Sequence, residues 1–99
     1  MGLLTHVALF TWKSGTTDEQ IAELSAGLAA LPGLIPEIKR YRFGPDAGLA
    51  EGNVDFGVVA DFDSAHGYRA YATHPAHRDV IDRLIKPIRE RRTGLQFES

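Results

Sequence analysis

The chain has 99 residues, of which 43% are hydrophobic and 24% charged, and its formal net charge is −2. This length indicates one domain over residues 1–99. The intermixed acidic and basic residues argue against a nucleic-acid-binding protein. The lack of cysteine excludes disulfides, thiolate catalysis and cysteine-bound zinc. Because the N-terminus lacks the basic start of a signal peptide and no apolar run reaches the length of a membrane span, we expect a cytoplasmic protein without nucleic-acid or membrane partners.

The first third of the chain predicts a strand followed by a helix. Residues 3–12 alternate, and both faces of this strand are largely apolar, which indicates that both are covered. Thr16 and Thr17 then offer two overlapping capping boxes, with Glu19 and Gln20. Behind them, apolar residues recur at helical spacing at Ile21, Leu24, Leu28 and Leu31. They predict an amphipathic helix of about 15 residues that ends at Pro32-Gly33.

Two more strands are predicted in the middle of the chain. Residues 38–43 form the first of them, and Lys39, Arg40 and Arg42 indicate partial exposure or an edge position in the sheet. Residues 54–62 form the next strand. One of its faces is entirely apolar and carries Val54, Phe56, Val58, Ala60 and Phe62.

A second helical region is interrupted by a proline. Asp63-Ser64 is expected to cap a helix whose inner face includes Tyr68 and Tyr71. Because proline is well tolerated at the first position of a helix, the pair His74-Pro75 predicts a new helix with His74 as its N-cap. His77 lies on the apolar stripe of that second helix.

The end of the chain combines a basic cluster with a short strand pattern. We interpret the cluster as a solvated helix end near the negative pole of the helix dipole; its members are Lys86, Arg89, Arg91 and Arg92. Residues 95–98 predict a short last strand.

The resulting order, β-α-β-β-α-β, predicts an α+β, ferredoxin-like fold with an antiparallel four-stranded sheet and both helical regions on one face. The other face then needs a cover, because the first and third strands are apolar on both sides. Packing two sheets against each other around a two-fold axis provides that cover. We therefore predict a homodimer formed through the sheet face.

Several strings of residues resemble the stress-responsive dimeric α/β-barrel (Dabb) family, and together they cover essentially the whole chain. They are His6-Val-Ala-Leu-Phe-Thr-Trp-Lys13, Leu31-Pro-Gly-Leu-Ile-Pro36, Asp55-Phe-Gly-Val-Val-Ala-Asp-Phe62, Tyr68-Arg-Ala-Tyr71 and His74-Pro-Ala-His77. The resemblance implies a ferredoxin-like fold and a dimeric α/β barrel, in agreement with the element order.

The resemblance also implies a candidate site. One plant member, the polyketide cyclase that forms olivetolic acid, carries out an aldol condensation with a tyrosine and a histidine that match Tyr71 and His77 here. Its pocket histidine on the first strand matches His6. Two further polar pocket residues of that enzyme are replaced by Leu28 and Phe56, which makes the pocket of this chain more apolar. Leu24, Val58 and Tyr68, on the inner faces of the predicted elements, complete the expected substrate pocket.

The residues themselves leave two interpretations open for these side chains. His77 is either a hydrogen-bonded core histidine or a general base, since a neutral imidazole with a pKa of about 6.5 takes protons at physiological pH. Tyr71 either only packs in the core or polarises a carbonyl group. On the second interpretation, the protein binds a hydrophobic carbonyl-bearing or aromatic small molecule. His77 and Tyr71, with His6, then act in a cyclase or lyase reaction that needs no cofactor.

Two alternatives remain for the function. One is a non-catalytic, stress-associated binding protein whose histidines are structural. The other is a cofactor-independent monooxygenase of the dimeric barrel type. The asparagine and tryptophan constellation that is usual in such enzymes is not visible in this sequence, where Asn53 is the only asparagine. We predict no metal site, because His74 and His77 have metal-ligand spacing but fall on different sides of the predicted helix.

Overall fold

The computed structural model describes residues 2–99 of the chain. Its sheet consists of β1 (Leu4–Trp12), β2 (Arg40–Pro45), β3 (Phe56–Phe62) and β4 (Arg89–Glu98). The helices are α1 (Asp18–Leu34), α2 (Ala65–Thr73) and α3 (Pro75–Val80), which continues into a π-helical segment over Ile81–Ile85. All neighbouring strands are antiparallel, and their order is β2-β3-β1-β4. This arrangement confirms the predicted ferredoxin-like α+β fold, with β2 at an edge of the sheet.

The core lies between one face of the sheet and the helices. Alternate residues of β1 and β3 are buried on this face, and the register places Ala8 opposite Val58. Leu24, Leu28 and Leu31 of α1 are buried against them, as their helical spacing predicts. Removing these apolar side chains from water supplies the main stabilisation, roughly 1.5–3 kcal/mol for each fully buried large side chain.

The other face of the sheet carries an uncovered apolar surface. Val7 stands between Val59 of β3 and Leu95 of β4, and Phe97 lies two residues further along β4. Leu95 and Phe97 are 58% and 45% exposed in the monomer. The apolar character of both faces of the central strands, noted from the sequence, therefore reflects one face packed on helices and one face open.

The first helix matches its predicted start but not its predicted end. Thr17 and Gln20 form the capping box, whereas the Thr16 hydroxyl donates to the Lys13 carbonyl at 2.7 Å. The prediction that Pro32-Gly33 ends the helix was wrong, because α1 continues to Leu34 with Pro32 in its last turn. Proline lacks the N–H donor and its ring crowds the carbonyl four residues earlier, but in the last turn this disturbs only the end of the hydrogen-bond ladder, and the chain keeps its helical course for two more residues.

Several strand boundaries differ from the sequence prediction, and two of the differences are small: β1 begins at Leu4 rather than at residue 3, and β2 ends at Pro45 rather than at residue 43. β2 begins at Arg40 rather than at residue 38, and β3 begins at Phe56 rather than at residue 54. The largest difference is in β4, which begins at Arg89 rather than at residue 95. It pairs with all of β1, from Leu4 to Trp12, with an irregularity between Thr11 and Trp12. Arginines suit this strand because it is at the sheet edge, where charged side chains reach water.

The predicted break between two helices at His74-Pro75 is confirmed, and the second helix is followed by a segment that was not predicted. The His74 imidazole accepts a hydrogen bond from the Ala76 N–H at 3.1 Å, and Pro75 is the first residue of α3. Ser64 occupies the N-cap of α2 but makes no side-chain capping hydrogen bond. The π-helical segment, closed by a Lys86 N–H bond to the Ile81 carbonyl, was not predicted. No helix within residues 2–99 is long and apolar enough to cross a membrane.

Candidate functional site

A cavity lies between the sheet and the helices, on the buried side of β1. Its floor includes His6, Ala8 and Phe10, and its opposite wall includes Tyr71 of α2 and His77 of α3. It offers about 70 Å³ to the centres of water-sized molecules. A single ordered water needs roughly 10–15 Å³ by this measure, so the space accommodates several waters or a small organic molecule.

The three residues expected to carry chemistry converge on this cavity. The rings of Tyr71 and His77 lie 4.0 Å apart, centre to centre, and are inclined by 33°. The His6 ring lies 6.1 Å from that of Tyr71. Tyr71 and His77 are brought together by the break at His74-Pro75, which lets α3 leave α2 in a new direction.

His77 is held as a neutral base. Its Nδ1 lies 3.3 Å from the Ala72 carbonyl oxygen. Because a carbonyl only accepts hydrogen bonds, Nδ1 carries the proton and Nε2 keeps its lone pair. Burial lowers the pKa of His77 below 6.5; the Ala72 bond partly opposes this, and the nearby positive charges of Arg78 and Arg92 add to it. The imidazole is therefore uncharged at neutral pH.

Tyr71 forms a hydroxyl pair with a tyrosine of β2. The hydroxyl oxygens of Tyr41 and Tyr71 are 2.8 Å apart. Burial raises the pKa of Tyr71 to about 12, although the bond with Tyr41 lowers it, and burial also raises the pKa of Tyr41. Both hydroxyls stay protonated. When Tyr41 donates to Tyr71, the Tyr71 O–H remains free to donate to a ligand.

His6 is oriented from the neighbouring strand. The Gln96 side-chain amide donates to His6 Nδ1 at 2.8 Å, which places the ring proton on Nε2. Burial lowers the pKa of His6 to about 4, and the charge of Arg92 and the His77 ring act in the same direction. The Tyr68 ring packs 4.9 Å from the His6 ring. His6 thus brings a neutral imidazole N–H to the buried side of the sheet.

Residues 4–99 match the family model of the stress responsive A/B barrel domain (Dabb). The chain belongs to the Dabb family. It is 32% identical over 78 residues to the stress-response A/B barrel domain-containing protein HS1 of Arabidopsis thaliana, covering 77% of this chain and 72% of that protein.

Two solved structures have a similar fold but very different sequence identities to this chain. A dimeric ferredoxin-like protein of unknown function from Thermobifida fusca is 44% identical, with a TM-score of 0.91 over 99% of this chain and 92% of that one. The hydroxynitrile lyase of Passiflora edulis is 19% identical, with a TM-score of 0.85 over 98% and 93% of the two chains. At that identity the second likeness is one of fold alone. The first protein is described as dimeric, and its likeness supports the ferredoxin-like fold of this chain.

The residues that line the cavity of this Dabb protein agree only in part with the pocket residues predicted from the sequence. Leu28, Val58 and Tyr68 line the cavity as expected. Leu24 and Phe56 do not, because both are fully buried in the core instead, at 0% and 1% exposure. Phe56 begins β3 and packs against Trp12 and Phe43, towards one end of the sheet.

Sequence reasoning missed four polar residues of this site. Tyr41, Arg89 and Arg92 line the cavity, and Gln96 holds His6. The sequence does contain a pattern that points to Tyr41. Tyr41 and Phe43 alternate with Arg40 and Arg42 along β2, which places the two aromatic side chains on one face of the strand. Arg89 and Arg92 lie outside the predicted last strand. Gln96 lies inside it, but its contact with His6 depends on the register between β4 and β1.

Metal binding has no support from the geometry of the described residues. Within residues 2–99, no three histidine or carboxylate side chains are grouped so as to hold a metal ion. His74, which shares metal-ligand spacing with His77, uses its Nδ1 to cap α3. Asp55 and Asp61 bind within the sheet, accepting from the Trp12 N–H at 2.7 Å and the Thr5 hydroxyl at 2.6 Å.

Proposed function

We propose that this Dabb protein is a homodimer that binds a small apolar molecule with a carbonyl group and catalyses proton transfer at the carbon beside that carbonyl. The observation that carries the proposal is the pairing of His77 and Tyr71, with rings 4.0 Å apart, in one cavity. Both side chains are neutral at physiological pH, which is the state that each needs.

The roles follow from the protonation states. His77 Nε2 accepts a proton from the carbon next to the carbonyl, and the electron pair of the broken C–H bond moves into the enolate. The Tyr71 O–H donates a hydrogen bond to the oxygen on which the negative charge develops. His6, with its proton on Nε2, provides a second neutral donor from the sheet side. An enolate formed in this way attacks a second carbonyl carbon in an aldol-type cyclisation, and the resulting alkoxide takes the proton that His77 Nε2 removed from carbon. The reverse sequence cleaves that carbon–carbon bond.

The apolar lining supports a hydrophobic substrate. Leu28 and Val58 occupy the wall, and Ile81 and Ile85 of the π-helical segment complete it. A low-dielectric environment strengthens the hydrogen bond from Tyr71 to developing charge. Leu28 replaces a polar pocket residue of the plant polyketide cyclase, so this part of the wall contacts an apolar portion of the substrate.

The proposal is tested by deuterium exchange at the methyl group of acetophenone in deuterium oxide, followed by proton NMR. The wild-type protein should accelerate exchange, and Tyr71→Phe and His77→Ala should each reduce the enzymatic rate by about 10²–10⁴-fold. His66→Ala, which changes an exposed histidine of α2, is the matched control and should leave the rate unchanged. Unchanged rates in both pocket variants, with folding verified by circular dichroism, would refute the mechanism.

A non-catalytic binding protein is the second candidate, and one observation favours it. Every buried side-chain nitrogen and oxygen within residues 2–99 already has a hydrogen-bond partner. His6 and His77 each use one ring nitrogen in this way, on Gln96 and on the Ala72 carbonyl. On this alternative, acetophenone binds in the cavity, its methyl protons exchange at the uncatalysed rate, and both pocket variants only weaken binding.

The monooxygenase alternative has no comparable support. Asn53 donates to Asp46 at 2.9 Å in the loop between β2 and β3 and is not part of the cavity lining. The cytoplasmic location expected from the N-terminal sequence stays a prediction.

A further inference from the structure

Two arginines line the cavity, and no carboxylate does. Arg92 pairs with Phe10 across the sheet, and Arg89 pairs with Trp12, so both lie on the strand face that carries the cavity. Apart from these two, the lining residues are aliphatic, aromatic or histidine. The local charge of the cavity is therefore positive, although the chain as a whole has a net charge of −2.

Neither arginine is neutralised by an acidic neighbour among the described residues. The ion pairs found within residues 2–99 join Lys39 to Asp63, Arg83 to Asp79 and Lys86 to Asp82. All three lie on the outer surface, where such pairs contribute little to stability. Arg92 and Arg89 thus keep their charge available at the cavity.

A glycine gives Arg92 its position. Gly94 follows two residues later on the same face of β4 and pairs with Ala8, another cavity-lining residue. A Cβ atom at Gly94 would lie 2.7 Å from Nη1 of Arg92, closer than nonbonded atoms approach. The absence of a side chain there lets the guanidinium of the exposed Arg92 lie along the strand, over the position opposite Ala8, where Arg92 lines the cavity.

We infer that the ligand of this cavity carries a carboxylate group, bound by the Arg92 guanidinium, in addition to the carbonyl group that meets Tyr71 and His77. The inference rests on the proposed function and adds the substrate class to it. A planar guanidinium matches a carboxylate with two parallel N–H···O bonds, which a lysine ammonium cannot do. Arg89, which is half-buried and also lines the cavity, adds a second positive charge.

The charge of Arg92 already affects the pKa values of the side chains in the candidate site. Its positive charge lowers the pKa of His6, of Tyr71 and of His77. A carboxylate bound to Arg92 offsets that charge while leaving both histidines neutral at physiological pH. It also fixes one end of the ligand, so that the carbonyl end is oriented towards the Tyr71 and His77 pair.

The test compares two probes that differ only in this group, 4-acetylbenzoate and 4-methylacetophenone. Both present a methyl ketone, and only the first has a carboxylate. Binding to the wild-type protein, to Arg92→Gln and to Arg69→Gln is measured by NMR titration; Arg69 is an exposed arginine of α2 that does not line the cavity. We expect wild type to bind 4-acetylbenzoate at least about tenfold more tightly than 4-methylacetophenone, a preference that Arg92→Gln removes and Arg69→Gln preserves.

Each outcome decides between the proposals. Equal binding of the two probes by wild type, or an Arg92→Gln variant that retains the preference, overturns the carboxylate inference and leaves the proposed function standing. If wild type binds neither probe, the proposed function fails and the inference fails with it. Gly94→Ala gives an independent measurement, because a methyl group there displaces the guanidinium without removing its charge and should also reduce the preference.

Discussion

The hydroxyl groups of Tyr41 and Tyr71, from β2 and α2, form a hydrogen bond of 2.8 Å across the cavity wall. This contact joins the edge strand to the helix that carries the candidate hydrogen-bond donor. The two rings meet edge to face, 5.9 Å apart. The position of Tyr71 is therefore fixed by a residue 30 positions away in the sequence, and not by its own helix alone.

The strength of this contact is measurable by a double-mutant cycle. Tyr41→Phe and Tyr71→Phe each remove one hydroxyl and leave the other without its partner, while the double variant removes both. We expect a coupling free energy of about 0.5–1.5 kcal/mol in urea unfolding. Additive effects of the two substitutions would mean that the hydrogen bond contributes nothing to stability. Tyr41→Phe should also slow acetophenone exchange less than Tyr71→Phe does, because only Tyr71 is proposed to contact the substrate.

The buried histidines predict loss of stability in acid. The pKa of His6 is lowered to about 4 in the folded protein, whereas an unfolded chain has a value near 6.5. Between these values the unfolded state binds more protons, so the free energy of unfolding falls as the pH drops from about 6.5 towards about 4. His77, whose pKa is also lowered, acts in the same direction.

This linkage is checked by urea unfolding at about pH 7 and about pH 5. His6→Gln should reduce the loss of stability between the two pH values, because glutamine does not titrate. His66→Gln, at an exposed position, should leave the loss as it is in wild type. A His6→Gln variant that loses as much stability as wild type would contradict the assignment of this pH dependence to His6.

Gln96 controls which nitrogen of His6 carries the proton. Its amide donates to Nδ1 and thereby selects the tautomer with hydrogen on Nε2. Gln96→Glu replaces this donor with a carboxylate that only accepts. We expect the tautomer to switch to Nδ1–H and the pKa of His6 to rise above about 4, since an adjacent negative charge favours the imidazolium ion.

The tautomer and the pKa of His6 are both read from nitrogen-15 chemical shifts of the imidazole ring during a pH titration. Gln96→Leu serves as the comparison, because it removes the donor without adding charge. It should release the tautomer preference but leave the pKa low. Equal shifts of the pKa in the glutamate and leucine variants would show that charge is not the cause.

The local parts of the fold could be predicted from the sequence. The capping box of Thr17 and Gln20, and the cap at His74 before Pro75, depend on residues that are close in the chain. The buried faces of β1 and β3 follow from alternation with a period of two. His6, Tyr71 and His77 could be nominated as a group only through the family resemblance, since their convergence depends on how strand and helices pack.

The long-range parts could not be predicted. The start of β4 at Arg89 depends on pairing with β1, and a stretch so rich in arginine has no strand pattern of its own. Consequently, the sequence places Arg92 at a helix end, although it lines the cavity. Gln96 falls within the predicted strand, but its contact with His6 depends on the register between β4 and β1. The same holds for Tyr41, whose contact with Tyr71 requires the register of an edge strand.

The open face of the sheet predicts how the protein assembles. Val7, Val59, Leu95 and Phe97 form an apolar surface that no element of the described chain covers. A two-fold axis would bring this surface against its copy, so that each substitution enters the interface twice. Burial of one leucine contributes roughly 1.5–3 kcal/mol, and Leu95→Lys should therefore weaken association by at least about 3 kcal/mol, or more than a hundredfold.

Light scattering coupled to size-exclusion chromatography measures this effect through the molar mass. Wild type is expected to elute as a dimer and Leu95→Lys as a monomer at micromolar concentration. Leu49→Lys is the matched control, because Leu49 is 89% exposed in the loop between β2 and β3 and away from the open face. A monomeric wild type, or a Leu95→Lys variant that remains fully dimeric, would exclude the sheet face as the interface.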